Sequence, residues 1–308
     1  MLKSKPKVQK KLAKLVLAAL LATSGLQSFV VPGVAHAISA GASGTATNGV
    51  KTEVFSNLSS VYGNYILGYI APTNCKVEIT GGTAAEVVGA DGYSYTNDVL
   101  GNSVTITDGT FTSVDMGGAA RVIGAVQYAD GPKLTDNHVT INGGTVGVMG
   151  SYPVTRVVGA YGAYSFSGEA SGNTVTITAG EVNDALIAGA YNDFGLAKDN
   201  HVTIGGDAKI NINGSRGFDG GIYGGYSSDG DAQENTVTIN GGAFSSGSSS
   251  TSRPFFEGDV AGGRSLNGNA IGNTATIGAG DFQECMAVWQ AILIRAQDLL
   301  QAMLIKTR

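Results

Sequence analysis

Charged side chains are scarce in this sequence: Asp, Glu, Lys and Arg make up 14 % of the 308 residues, about half the share in an average globular protein. Cysteine is scarcer still. Cys75 and Cys285 are the only two, too few for a disulfide scaffold in an exported chain. Histidine occurs three times, at His36, His138 and His201, which leaves little material for a metal centre. Past the N-terminal region no apolar run is long enough to cross a bilayer. No Gly-x-Ser-x-Gly elbow is present among the many serines, so nucleophilic catalysis has no candidate.

What fills the chain instead is glycine, 47 residues of it, roughly twice the average share, which favours a short repeating backbone. The first 37 residues read as a secretory signal. A head carrying Lys3, Lys5, Lys7, Lys10, Lys11 and Lys14 precedes an apolar stretch from Leu15 to Leu21, and Ala35-His36-Ala37 supplies a small-x-small cleavage site. Thr23, Ser24, Gly25, Gln27 and Ser28 break the apolar run, which disfavours an uncleaved anchor. Cleavage after Ala37 leaves 13 basic against 24 acidic side chains, a net charge of −11. That balance argues against nucleic acid as a partner.

One ten-residue pattern recurs: NSVTITDGTF at 102, NHVTINGGTV at 137, NTVTITAGEV at 173, NHVTIGGDAK at 200, NTVTINGGAF at 235 and NTATIGAGDF at 273, with a degenerate copy, CKVEITGGTA, at 75. Successive starts lie 27, 35, 36, 27, 35 and 38 residues apart, a repeat architecture with loops of varying length. A second element alternates with it: VVGADGY at 87, VIGAVQY at 122, VVGAYGAY at 157, LIAGAY at 186, IYGGY at 222 and VAGGRS at 260. Within a copy, Val104 and Ile106 fall on one side and Thr105 and Thr107 on the other, the two-residue period of a strand. Asp108-Gly109, Asn142-Gly143-Gly144 and Asn240-Gly241-Gly242 then offer positive φ and turn the chain. So short a strand buries too little alone, so the copies must stack. Stacking puts Val and Ile columns inside, Thr columns outside, and a column of Asn102, Asn137, Asn173, Asn200, Asn235 and Asn273 at the strand starts, where asparagine ladders can hydrogen-bond along the stack.

The predicted fold is therefore all-β: an elongated parallel β-helix, or β-solenoid, of stacked ~35-residue repeats with one or two coils each. A signal helix precedes it and a C-terminal amphipathic helix follows. The domain reading is a signal peptide over 1–37, a solenoid start over 38–74, solenoid repeats over 75–282 and a non-repeat tail over 283–308. A seven-bladed propeller fits the copy number, but a four-stranded blade takes roughly 40 residues and two of these repeats have 27.

An export signal followed by Asn-x-Val-Thr-Ile-x-Gly-Gly repeats with interleaved Val-Tyr-Gly-Gly-like segments resembles the passenger region of bacterial autotransporter (type V secretion) adhesins, over about residues 38–282. The resemblance implies a non-enzymatic, structural or adhesive role, a host or cell-surface ligand as partner, and no cofactor. For the intact family it implies the cell surface or outer membrane and a C-terminal outer-membrane β-barrel. No alternating ten-residue strands with aromatic girdles follow residue 282 in this sequence, so the chain as written is expected in the periplasm or secreted. The alternative is a β-helix lyase or hydrolase acting on polysaccharide, for which Arg216, Asp219 and Asp229 form the nearest carboxylate-and-base set.

The remaining candidates have plain readings beside their functional ones. His138 and His201 occupy one repeat slot where Ser103, Thr174, Thr236 and Thr274 stand elsewhere, which reads as surface rather than as a metal site. Asp229, Asp231 and Glu234 lack both the EF-hand and the nonapeptide calcium spacing, and read as a solvent loop. Tyr128, Tyr161, Tyr191 and Tyr226 line one side, where they cover the coil edges or stack on sugars. Asn57-Leu58-Ser59 and Asn213-Gly214-Ser215 are formal glycosylation acceptors. The sequence thus assigns no catalytic, cofactor-binding or metal residue.

From Asp281 onward the composition changes. Trp289, Ile292, Leu293, Ala296, Leu299, Leu300, Met303 and Leu304 recur at helical spacing, suiting an amphipathic cap. Moving the reading frame back one base gives a second account. Met286-Ala287 then forces Gly and Trp289-Gln290 forces Ala, and a permitted path from Glu284 reads VYGGVAGYSDSGAGFAAGNADQNTV, beside the chain's own IYGGYSSDGDAQENTV from Ile222 to Val237. Recovering both repeat elements in order favours a frameshift near Phe282 over an evolved cap.

Overall fold

The structure, a computed structural model, describes residues 55–62, 73–92, 98–112, 119–149, 155–163, 166–212, 220–245 and 259–282. All lie in the second of two compact units, Met1–Val34 and Ala35–Arg308. The signal over 1–37, the tail over 283–308, Arg216, Asp219 and the 213–215 acceptor lie outside the described residues.

Every strand pairing is parallel, and each repeat makes one turn of a β-solenoid with three walls. The first wall stacks the Asn-x-Val-Thr-Ile strands: the first half of Lys76–Asp91, then Ser103–Phe111, His138–Val146, Thr174–Asn183, the pair His201–Ile204 and Lys209–Asn211, Thr236–Ser245 and Thr274–Phe282. The second wall stacks the rest of Lys76–Asp91 with Arg121–Gln127, Thr155–Gly162, Ala185–Asn192, Gly221–Ser227 and Asp259–Ser265. Because Lys76–Asp91 runs unbroken around the first corner, the two walls count as one 14-stranded sheet. The third wall is a separate 6-stranded sheet of two- and three-residue strands, from Val99–Leu100 to Ala270–Ile271.

Repeat length varies mainly at the first corner. In the two 27-residue turns the chain rounds it directly, within Lys76–Asp91 and across Asp184 into Ala185–Asn192; the longer turns insert residues there, as over 112–120 and 246–258. The third corner never varies. One residue with positive φ precedes the ladder position in every turn: Asn74, Gly101, Asp136, Gly172, Asp199, Glu234 and Gly272, with φ between 53° and 71°.

The Val and Ile columns are inside, as the two-residue period requires. Val104, Ile106, Val139, Ile141, Val175, Ile177, Ile204, Val237 and Ile239 are 0 % exposed, and each full burial of such a side chain stabilises by about 1.5–3 kcal/mol. A third inward column, Phe111, Val146, Val182, Ile210, Phe244 and Phe282, closes this lobe toward the corner. The Thr column Thr105, Thr140, Thr176, Thr203, Thr238 and Thr276 faces outward.

One expectation changes. The Asp-Gly and Gly-Gly segments do not turn the chain out of the wall. The left-handed glycines are there, at Gly109, Gly144, Gly180 and Gly242. Yet pairing resumes beyond them after a register shift, so they are bulges inside nine- and ten-residue strands. The second wall breaks strict alternation. Val157 packs in the first core lobe and Ala160 in another, while Val158 and Tyr161 belong to clusters outside both. Alternation slips by one residue at Gly159.

That slip exposes the role of the second repeat element. Gly89, Gly124, Gly159, Gly189, Gly224 and Gly262 occupy equivalent positions on the second wall, between paired residues of adjacent strands. A Cβ on Gly189 would lie 2.5 Å from the Gly224 oxygen, 2.8 Å from the His201 nitrogen and 2.9 Å from the Asn173 oxygen. Gly89, Gly124, Gly159 and Gly224 meet the backbone of the next strand and of a first-wall strand start in the same way, and Gly262 meets the Thr274 backbone. The glycines let the second wall touch the first, splitting the interior into a Val/Ile lobe and a smaller lobe of Ala90, Val99, Ala125, Leu134, Ala160, Phe166, Ala170, Ala190 and Ala197.

The asparagine ladder runs along this pinch. Each ladder asparagine from Asn102 to Asn235 donates its backbone N–H and one Nδ2 hydrogen to Oδ1 of the asparagine in the next turn. From Asn137 to Asn173 the distances are 2.9 and 3.0 Å, and from Asn173 to Asn200 they are 3.0 and 2.9 Å. The second Nδ2 hydrogen goes to a third-wall carbonyl, Leu134 for Asn173 and Ala170 for Asn200. Asn102, Asn137, Asn173, Asn200 and Asn235 are 0 % exposed, yet their side chains are hydrogen-bonded. Cys75 takes the first place and donates its backbone N–H to Asn102 Oδ1 at 2.9 Å.

Candidate functional site: the tyrosine column

The outer surface of the second wall is where side-chain chemistry differs most from turn to turn. Val126, Tyr161, Tyr191, Tyr226 and Arg264 align there in consecutive strands. Three of the four expected tyrosines therefore share a column. Tyr128 lies two residues beyond Val126 and joins Tyr161 against Val88, Ile123 and Val126.

Strand spacing of about 4.7–4.9 Å dictates how the rings meet. Tyr191 and Tyr226 stack with centroids 4.8 Å apart and planes 4° from parallel, and Tyr161 meets Tyr191 edge-on at 5.4 Å. Tyr223, beside them, lies edge-on to Tyr226 at 5.4 Å. Guanidinium groups cover the ends: Arg156 over Tyr161 at 5.5 Å, Arg264 over Tyr223 at 5.6 Å and over Tyr226 at 5.7 Å. Arg264 is itself held by a 2.9 Å contact to Asp259 and donates to the Tyr223 hydroxyl at 2.8 Å. Burial pushes the Tyr161 hydroxyl up to about 12, with Arg156 opposing, and raises Tyr191 and Tyr128 as well, the latter helped by Asp91 and Glu86. All three are neutral hydrogen-bond donors at physiological pH.

For Tyr161, Tyr191 and Tyr226 this arrangement favours the packing reading. A sugar stacks on a ring face, and here the faces are turned to neighbouring rings or covered by guanidiniums. The column consequently serves coil-to-coil packing.

The other sequence candidates are also engaged in holding the stack. His138 and His201 contact Thr174 and Thr236 of the following turns through Nδ1, at 2.9 and 2.7 Å, and His201 Nε2 lies 3.5 Å from Asp199. Thr174 separates the two histidines in their column. Burial lowers the His138 pKa, with Asp136 opposing. Asp229 accepts from Asn267 at 2.7 Å, Asp231 accepts from the backbone and side chain of Asn269 and from Gln233, and Glu234 pairs with Lys198 at 3.5 Å. The Asn269 backbone N–H, above all, holds the Asp231 carboxyl below its usual range. Among the described residues no group of three or more His, Cys, Asp or Glu is placed to hold a metal. Asn57 lies on strand Phe55–Tyr62, which pairs with the first corner of Lys76–Asp91.

A polar column at the second corner has no counterpart in the sequence reading. Ser227 and Ser265 each accept from the backbone N–H three residues on, Gly230 and Gly268, and donate to a carbonyl of the preceding turn, Gly195 and Gly230. The paired segments SSDG at 227 and SLNG at 265 carry this signal. No family model matches the chain, and neither a curated protein nor a solved structure matches it. What the residues and the fold define is a parallel β-solenoid repeat protein.

Proposed function

We propose that this chain is an exported, autotransporter passenger-like repeat protein with a structural or adhesive role at the cell surface and no catalysis. The observation that carries the reading is the run of Asn-x-Val-Thr-Ile repeats, each making one turn of the solenoid, behind a lysine-rich head and the Ala35-His36-Ala37 site. Its partner is a ligand on a host or cell surface. Use of the described carboxylates in turn-to-turn contacts, as at Asp229 and Asp231, supports a scaffold over an enzyme.

The test is expression of the full chain in a Gram-negative host, followed by fractionation and N-terminal sequencing. The product should begin at Ile38 and be recovered outside the cytoplasm. A product that keeps Met1, or stays in the cytoplasm, overturns the export reading.

A further inference from the structure

Two arginines sit side by side on the outer edge of the second wall of a chain whose residues 38–308 carry a net charge of −11. Arg121 and Arg156 are register partners on adjacent strands, about 4.7–4.9 Å apart at the backbone. Like charges so placed repel, and cross-strand pairs of this kind are unfavourable unless something answers them. Glu86, on the strand beyond Arg121, lies 3.5 Å from its guanidinium, and Asp91 and Asp193 act on the neighbouring Tyr128 and Tyr161. On the far side of Arg156 the column continues with Leu186. The Arg156 guanidinium has no ion pair or hydrogen bond among the described residues and rests over the Tyr161 ring.

The surroundings lower the dielectric around the Arg156 guanidinium. Ile123, Val158 and Val88 form an apolar floor, 2 %, 0 % and 1 % exposed, and Tyr128 and Tyr161 pack against the same floor. A partly buried guanidinium that lacks an anion is a fork of N–H donors matched to the geometry of a carboxylate or sulfate.

We infer that Arg121 and Arg156 form a binding site for one oxyanion, the carboxylate or sulfate group of an acidic polysaccharide. The polysaccharide half of this inference rests on the adhesive reading above; the oxyanion half rests on the guanidinium pair alone. Arg156 supplies the fork, and Arg121 shares its charge between Glu86 and the ligand.

Binding is measured by calorimetry on the purified full chain, which needs neither export nor display, so failure here is separable from failure of the surface reading. The probes are a heparin oligosaccharide, bearing sulfate and carboxylate, an oligogalacturonate, bearing carboxylate alone, and neutral maltohexaose. At least one acidic probe should bind with an affinity that falls as salt rises, while maltohexaose does not bind. Binding of heparin alone assigns the group as sulfate; binding of both admits carboxylate. Arg156→Gln should weaken binding at least tenfold and Arg156→Lys, which keeps charge but loses the fork, severalfold. Lys133→Gln, removing an equal charge from the third wall, should leave it unchanged. The lysine variant serves if the glutamine variant does not fold. Absence of binding by both acidic probes, equal binding by maltohexaose, or undiminished binding by the Arg156 variants overturns the assignment.

Discussion

Replacing Gly189 by Ala adds one methyl group, and its cost follows from what that methyl would meet. All three nearest atoms are backbone: the Gly224 oxygen at 2.5 Å, the His201 nitrogen at 2.8 Å and the Asn173 oxygen at 2.9 Å. The last two are the donor and acceptor of one hydrogen bond, His201 N–H to Asn173 O at 2.9 Å, which joins successive first-wall strands. The methyl cannot be accommodated by rotating a side chain. Either the second wall moves outward or that bond is pried open. Overpacking costs about 1–3 kcal/mol, and a buried donor left unpaired costs about 1–3 more, so a loss of about 2–6 kcal/mol is expected. Gly205→Ala is the control, since nothing lies within 4 Å of its added Cβ and its φ is outside the left-handed range; surface changes of that kind fall within about 0.5 kcal/mol. Urea unfolding followed by circular dichroism reads both. Equal midpoints for the two variants would refute the pinch between walls.

Three further outcomes are expected. Asn173→Ala removes the shared acceptor of the Asn137 N–H and of one Nδ2 hydrogen, and the Asn173 donor to the Leu134 carbonyl, so urea unfolding should register a loss of about 2–6 kcal/mol, two buried orphans at about 1–3 each. Glu234→Gly should raise the melting temperature, because Glu234 holds φ at 55° and a side chain there costs about 1–2 kcal/mol that glycine avoids; a lowered melting point would mean that its pair with Lys198 outweighs the strain. The Tyr161 hydroxyl is raised to about 12 by burial, so the folded state favours its protonated form: the stability it contributes is complete below the unfolded value near 10 and is lost as pH rises toward 12. Alkaline melts of Tyr161→Phe should therefore fall less steeply over that window than those of the parent chain.

The first wall was legible because its signal is local. In Asn173-Thr174-Val175-Thr176-Ile177 the burial pattern follows the two-residue period, and copies at nearly fixed intervals place like over like, which yields the Val and Ile columns and the ladder together. The second wall was legible as a repeat but not as a shape. Nothing in Val157-Val158-Gly159-Ala160-Tyr161 states that alternation slips at Gly159, since the cause is a contact with the first wall, many residues away in sequence. The third wall was missed because its strands are two or three residues long. Its signal is a small or aliphatic residue three places before each asparagine, as in Ala170-Ser171-Gly172-Asn173, with a left-handed residue between. The bulges were misread as turns because glycine and asparagine suit either, and only cross-strand pairing distinguishes them.

The inner and outer columns carry different kinds of information. Inward positions on the first wall keep aliphatic residues almost throughout, since a change in volume in one turn is felt by the turns on either side. Outward positions of that wall keep mostly threonine, serine or histidine, consistent with side chains that bond from turn to turn, as His138 does to Thr174. The outer edge of the second wall follows no such rule: Glu86, Arg121, Arg156, Leu186, Gly221 and Asp259 are successive members of one column. Neighbours there change sign, size and polarity while the backbone beneath them stays in register. A stack needs sameness for stability, and this column departs from it without disturbing the glycine pinch or the ladder. Positions released from the stacking requirement are the ones on which recognition can be built, and the Arg121–Arg156 pair is one such place, where the Arg156 guanidinium has no ion pair among the described residues.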